Sequence, residues 1–274
     1  MTPMLPLNDG HQIPQLGFGL WQVPEATTAA TTANALQMGY RLVDGAAIYG
    51  NEVGQGDGLR QSGLTRDEVF VTTKVWNSEQ GFDSTLRAAE ASLTRLGLGQ
   101  VDLLLIHWPC PAKDRYVATW RALIRLRDEG KARSIGVSNF NAGHLERIID
   151  ATGVVPVLNQ VELNPRLQQS GLRAVHDRLG IVTQSWTPLG QGKSFDAAPI
   201  KAAARRTGKS PAQVILRWHL QIGASVIPRS TRVAGLAENL DLFDFVLTED
   251  EMAAIGRLDE GVRCGPDPAQ FNMG

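Results

Sequence analysis

From about residue 16 to the end, short β-branched or aliphatic runs alternate with segments of helical period, and the alternation repeats eight times. Such alternation implies βαβ units and a parallel sheet, because parallel strands need a long crossover, usually a helix, between them. The runs are Leu16 to Leu20, Arg41 to Asp44, Val69 to Lys74, Val101 to His107, Ser134 to Val137, Val157 to Val161, Ile181 to Ser185 and Ser225 to Ile227. The segments between them read as amphipathic helices: Thr27 to Met38, Glu52 to Gln61, Asp83 to Leu96, Ala118 to Glu129, Ala142 to Ala151, Gly171 to Leu179, Ser210 to Ile222 and Val233 to Leu240. Eight units in series predict closure into an α/β fold, a (β/α)8 TIM barrel. The chain length of 274 residues suits one such barrel domain spanning residues 1–274.

Punctuation supports the count. Gly63, Gly97, Gly130, Gly153, Gly180 and Gly223 each follow a helical segment, where a left-handed residue ends the helix. Leu5 to Leu7 and His11 to Ile13 flank Asn8-Asp9-Gly10, predicting an N-terminal β-hairpin that plugs one barrel end. Thr248 with Glu251 forms a capping box opening an extra C-terminal helix, and the Gly- and Pro-rich tail from Gly261 to Gly274 reads as a surface loop. Gly54-x-Gly56-x-Gly58 lacks a preceding phosphate-loop strand and reads as a loosened helix start or turn.

Composition excludes several classes. No apolar run approaches the roughly 18 residues that a membrane span requires, and the N-terminus carries no secretory pattern. Two cysteines, Cys110 and Cys264, are too few for a disulfide framework and favour a reducing compartment, so a cytoplasmic protein is expected. A formal charge of −1 gives no footprint for nucleic acid. The five histidines are scattered with no His-x-x-x-His pair, so no metal site is expected and a metal-dependent barrel hydrolase is the weaker alternative.

In such barrels the C-terminal strand ends share one face and converge on a pocket. Asp44 ends the second run with Tyr49 just beyond it, Lys74 ends the third and His107 the fourth. Ser138 and Asn139 end the fifth, Gln160 lies near the end of the sixth, Trp186 ends the seventh, and Arg229 with Ser230 ends the eighth. Taken singly, each has a bland explanation as a cap, a solvated strand end or packing. Together they are stronger, because a lysine buried in an apolar strand needs a partner, and Asp44 on the neighbouring strand is the nearest for Lys74.

The group suits proton donation to a carbonyl oxygen as hydride reaches the carbon. A free tyrosine has a pKa of about 10, and a neighbouring ammonium lowers it by stabilising the phenolate. Lys74 is placed to do that, with Asp44 holding the lysine charged and a neutral His107 orienting the carbonyl. For the hydride donor no Gly-x-Gly-x-x-Gly unit is present. Instead Ile227-Pro228-Arg229-Ser230-Thr231-Arg232 leaves a strand and enters a helix, where free N–H groups, hydroxyls and two guanidinium forks suit a phosphate, although plain capping is the alternative. Glu238 and Asn239 either reach an adenine edge or form solvated helix surface. Trp186 either stacks on a nicotinamide, with Ser138, Asn139 and Gln160 bonding its carboxamide, or plugs the mouth; the flexible loop Thr187-Pro188-Leu189-Gly190-Gln191-Gly192 follows it. Trp21, Trp76 and Trp108, at or past strand ends, suit the walls of a substrate pocket beside His107. Trp120, Trp218 and His219 read as structural. Phe271 and Asn272 either fold over the pocket or fray.

These segments resemble the aldo-keto reductase family from Leu16 to about Asp259. The resemblance rests on Gly39 through Glu52 with Asp44 and Tyr49, Lys74-Val75-Trp76, His107-Trp108-Pro109, Gly136 through Phe140, and Ile227 through Arg232. Ser185-Trp186 and Pro188 through Lys193 are most similar to bacterial 2,5-diketo-D-gluconate reductases. The resemblance implies a monomeric, NADPH-dependent oxidoreductase acting on CH-OH donors and carbonyl acceptors, reducing small, α-keto or sugar-derived aldehydes and ketones. It implies Tyr49 as acid, Lys74 and Asp44 as its tuning pair, His107 as substrate orienter, and cofactor binding first. The chain departs from the family at Arg229, where lysine is common, at Gly235, where arginine is common, and at Gln55, usually aliphatic. NADPH is preferred over NADH because Arg229 and Arg232 can both bind a 2′-phosphate, the lost contact at Gly235 makes that preference moderate, and Gln55 puts the packing of the second helix in question. A cofactor-sensing subunit with little catalysis is the second hypothesis, which the intact catalytic group disfavours.

Overall fold

The computed structural model describes residues 2–274. In chain order the elements are β1 (Met4–Pro6), β2 (Gln12–Pro14), β3 (Phe18–Gly19), α1 (Glu25–Met38), β4 (Leu42–Asp44), α2 (Glu52–Gln61), β5 (Phe70–Val75), α3 (Phe82–Leu96), β6 (Val101–Ile106), α4 (Tyr116–Asp128), β7 (Ala132–Ser138), α5 (Ala142–Thr152), β8 (Leu158–Glu162), α6 (Ser170–Leu179), β9 (Val182–Trp186), α7 (Ala198–Thr207), α8 (Pro211–Gln221), β10 (Ser225–Val226), α9 (Val233–Leu240) and α10 (Glu249–Gly256). Strands β3 to β10 follow one another in a single eight-stranded sheet. Adjacent strands are parallel throughout. Leu16 bridges Val226 and the Gly17 N–H donates to Val226 O at 2.9 Å, so the first strand meets the last and the sheet closes into the expected barrel.

Two apolar layers hold it. Leu42, Leu103, Leu105, Leu158 and Ile227 share a buried cluster with Leu7 and Ile13 of the antiparallel β1–β2 hairpin, which plugs the N-terminal end as expected. A larger cluster fills the space between sheet and helices, including Trp120 at 0% exposure. The six glycines expected to end helices all have positive φ, between 66° at Gly97 and 79° at Gly223. Thr248 and Glu251 cap α10 reciprocally.

The glycine trio is a correction. Gly54, Gly56 and Gly58 lie inside regular α2 and form neither a loosened helix start nor a turn. A Cβ at Gly56 would stand 2.1 Å from Leu96 O, one at Gly58 2.4 Å from Thr32 Cβ, and one at Gly54 2.9 Å from Thr28 Cβ. Their absent side chains let α2 approach α1 and the end of α3, which offsets the roughly 1 kcal/mol that each glycine costs a helix. Helix α7 was not expected, since it follows no strand of its own; Pro199 at its start and Gly208 in left-handed conformation after it were the available signals. Gln55, the departure that bears on the packing of the second helix, lies within α2. Gln55 is fully buried with neither amide atom bonded, and its Oε1 stands 2.1 Å from where a Cβ at Gly45 would lie, so the glutamine fills the space that Gly45 leaves.

Candidate active site

The β4 register brings Asp44 to the C-terminal rim, and the next turn, Ala47–Tyr49, carries the phenol back over it. Asn51 fixes this turn by donating to Leu20 O and Val23 O, both at 3.0 Å. Lys74 is the penultimate residue of β5, and His107 follows β6 with its N–H donating to Val75 O. The four side chains converge. Lys74 Nζ donates to Asp44 Oδ2 at 2.6 Å, to Gly45 O at 2.9 Å and to Tyr49 Oη at 3.2 Å, so all three of its hydrogens are used. Because the phenol oxygen accepts from Lys74, its own hydrogen is free to point into the cleft. The His107 ring is 5.7 Å from the Tyr49 ring, centroid to centroid.

Charge follows geometry. Burial alone would depress the Lys74 ammonium, but Asp44 and the phenol outweigh it and hold the ammonium above its ordinary value. Burial, then the Lys74 charge, keep His107 well below the ordinary histidine range, so the imidazole is neutral. Tyr49 differs from expectation. Its surroundings push the phenol up, with Lys74 pulling down against burial and Asp44 pushing up. The ammonium acts in the expected direction; it does not overcome the desolvation of a buried phenolate.

The remaining rim residues fall into three groups. Gln160 Nε2 donates to Asp44 Oδ1 at 2.7 Å. Asn139, in left-handed conformation with φ 64°, donates to His107 O and to Ser138 Oγ and accepts from Trp186 Nε1 at 2.8 Å. Ser138, Asn139, Gln160 and Trp186 therefore form one patch beside Asp44, Tyr49, Lys74 and His107. Beyond it, Thr187, Gly190, Gln191 and Gly192 all have positive φ, and the buried His219 holds this loop through Nε2 to Pro188 O at 3.0 Å. Leu189 packs beneath it.

At the eighth strand end Ile227 is buried, whereas Arg229, Thr231 and Arg232 are exposed and Ser230 half-buried. Ser230 Oγ accepts from Arg232 N, and no side chain caps α9, so its first-turn amides stay free. A Cβ at Gly235 would meet Ser230 Oγ at 2.5 Å, so a larger residue here would require the Ser230 hydroxyl to turn away. Glu238 accepts from Ser210, and Asn239 is buried.

The aromatic residues separate. Trp21, 52% exposed, leans on Tyr49 at 5.0 Å, and Trp76 meets His107 at 5.1 Å. Trp108 is buried between Trp186 and Phe271, whose ring lies 4.4 Å from it. Asn272 Oδ1 accepts from Ala112 N at 2.8 Å, so the tail folds over the rim. Sequence reasoning missed Glu162. Its buried carboxylate accepts from Cys264 N at 2.5 Å and Gly265 N at 3.0 Å, fastening the tail beside Trp186; its only signal was an acidic residue ending β8. Among the described residues no three His, Cys, Asp or Glu side chains form a metal-binding cluster, and no helix is long and apolar enough to cross a membrane.

A closed parallel barrel with ionisable groups gathered at its C-terminal rim is the architecture of a barrel enzyme. The aldo/keto reductase family model matches residues 15–260, and the chain belongs to that family. It is thus an oxidoreductase of carbonyl compounds. It is 51% identical to an aldo-keto reductase of Mycobacterium sp. (strain KMS), covering 99% of both chains. It is 46% identical to methylglyoxal reductase DkgA of Escherichia coli (strain K12), covering 98% of both. Among solved structures, a variant of Gox0644 in complex with NADPH superposes with TM-score 0.95 at 49% identity, covering 99% of both chains.

Proposed function

We propose that this enzyme reduces aldehydes and ketones to alcohols with NADPH, that Tyr49 is the proton donor, and that its substrates are small α-keto or sugar-derived carbonyl compounds. The observation that carries the proposal is the third hydrogen of Lys74. By donating to the phenol oxygen it turns the Tyr49 hydrogen toward the cleft and stabilises the oxygen as it loses that proton. Asp44 keeps the lysine charged, and neutral His107 orients the carbonyl oxygen by hydrogen bonding. Trp21, Trp76, Trp108 and His107 wall the substrate. The Escherichia coli relative's name, methylglyoxal reductase, supports an α-keto carbonyl substrate.

The residues fit a nicotinamide dinucleotide phosphate. The uncapped start of α9, with Arg229, Ser230, Thr231 and Arg232, suits a phosphate. Trp186 offers a flat face, Ser138, Asn139 and Gln160 supply polar groups for a carboxamide, and the Thr187–Gly192 loop with Ile227, Glu238 and Asn239 borders the rest. When bound, the cofactor supplies hydride to the carbonyl carbon. Two guanidinium groups favour a 2′-phosphate, so NADH is the weaker donor. We further propose that the enzyme works as a cytoplasmic monomer.

The test is loss of nicotinamide absorbance with NADPH or NADH against a panel of α-dicarbonyls, sugars and aromatic aldehydes. Turnover with NADPH, fastest on α-keto carbonyls, is expected. Tight NADPH binding without turnover on any of them would replace this proposal with the cofactor-sensor reading.

A further inference from the structure

Gln160, Gln184 and Ser225 are register partners on β8, β9 and β10, so their side chains share one level of the barrel interior. All three are buried, Gln184 and Ser225 at 0% exposure. Gln160 Nε2 donates both to Asp44 Oδ1 and to Gln184 Oε1, each at 2.7 Å. Gln184 Nε2 donates to Ser225 Oγ at 3.1 Å, and Ser225 donates onward to Pro14 O of the hairpin plug at 3.3 Å. The carboxylate sets the polarity of the chain. Asp44 can only accept, so the atom of Gln160 facing it must be nitrogen; that nitrogen requires an oxygen from Gln184, whose own nitrogen then requires the hydroxyl. Both hydrogens of the Gln160 amide are thereby committed, and its Oε1, which takes no hydrogen bond from the described residues, is left as an acceptor.

We propose that Gln184 is a positioning residue for cofactor recognition: with Asp44 it locks the Gln160 amide so that Oε1 accepts a hydrogen bond from the amino group of the nicotinamide carboxamide. The inference rests on Gln160 being the carboxamide partner. Catalytic pair and cofactor recognition then share one buried chain, because the carboxylate that holds Lys74 also orients the group that reads the carboxamide. Gln184 touches neither substrate nor cofactor and acts only through Gln160.

The probe is an oxidised NADP analogue with an acetyl group in place of the carboxamide, which lacks the N–H donor. Binding of NADP+ and of this analogue to the full-length protein is followed by tryptophan fluorescence, which needs no turnover. Wild type is expected to prefer the natural cofactor by about tenfold, the worth of one well-placed hydrogen bond. Gln184→Met should weaken NADP+ binding by several-fold and leave analogue binding within about twofold, so the preference collapses. A merely structural role would weaken both ligands alike. Gln160→Met reports on the underlying assignment. If wild type and Gln160→Met treat the two ligands identically, Gln160 is not the carboxamide partner; if Gln160→Met loses the preference but Gln184→Met keeps it, the positioning role of Gln184 is wrong. Should Gln184→Met not fold, Ser225→Ala, which removes the acceptor for Gln184 Nε2, decides: reduced preference supports the chain, and wild-type preference overturns it.

Discussion

Replacing Asp44 with asparagine keeps the shape of the side chain and removes its charge. Both carboxylate oxygens accept in the structure, Oδ2 from Lys74 and Oδ1 from Gln160, whereas asparagine has one acceptor for these two donors. The Lys74 and Asp44 side chains are 0% and 2% exposed, so the ammonium cannot turn to water. Removing one partner of such a buried pair costs roughly 3–5 kcal/mol, a large share of a typical total stability of about 5–15 kcal/mol. The pH dependence should also change sign. In wild type the Lys74 pKa is raised above its ordinary 10.5, so its contribution is fully present below 10.5 and is lost as pH rises through the raised value. In Asp44→Asn, burial, the largest influence on this ammonium, is opposed only by the phenol and the Gly45 carbonyl and lowers that pKa. The unfolded chain then binds the extra proton, and stability rises with pH up to the ordinary value. Urea melts at about pH 7 and about pH 10 should show the variant gaining stability where wild type does not. A loss under about 1 kcal/mol with no gain at the higher pH would refute the buried ion pair as the source of order in this cleft.

Other outcomes follow from the same geometry. Gly56→Ala should cost about 1–3 kcal/mol in a urea melt, because its Cβ would meet the Leu96 carbonyl, whereas at a solvated helix position the same change would gain about 1 kcal/mol. Burial pushes His219 down to about 3 and His176 to about 4, so both stabilise the fold above the ordinary 6.5 and that stability is lost as pH falls below it. Each should cost about 2 kcal/mol at about pH 5, and His219→Gln, which retains a donor for Pro188 O, should remove about half of the acid sensitivity seen in melts. Arg229→Ala and Arg232→Ala should each weaken NADPH binding about 10- to 100-fold, with NADH binding changed less than about twofold; equal losses for both cofactors would remove the 2′-phosphate assignment.

The barrel was legible in the sequence because each unit carries local signals: a short apolar run and a helical period, followed in most units by a terminating glycine. The rim residues were legible because strand ends in a parallel barrel share one face, so Asp44, Tyr49, Lys74 and His107 could be assigned to one place before any contact was known. What lay outside local code was lost. Helix α7 interrupts the alternation. The α2 glycines needed knowledge of α1 and Leu96, which are distant in sequence. The upward push on Tyr49 depends on how much water reaches the phenol, and Gln184 gains meaning only through its register with Gln160. Glu162 looks like any strand-end carboxylate until the tail, about a hundred positions on, lies over it.

The central claim is that Tyr49 delivers the proton. The most direct measurement is the single-turnover rate of NADPH oxidation in wild type and Tyr49→Phe, each preloaded with NADPH and mixed with a saturating α-dicarbonyl. The variant should bind NADPH within about twofold of wild type and react about 100- to 10 000-fold more slowly. Equal single-turnover rates would contradict the claim and move the proton donor to another group.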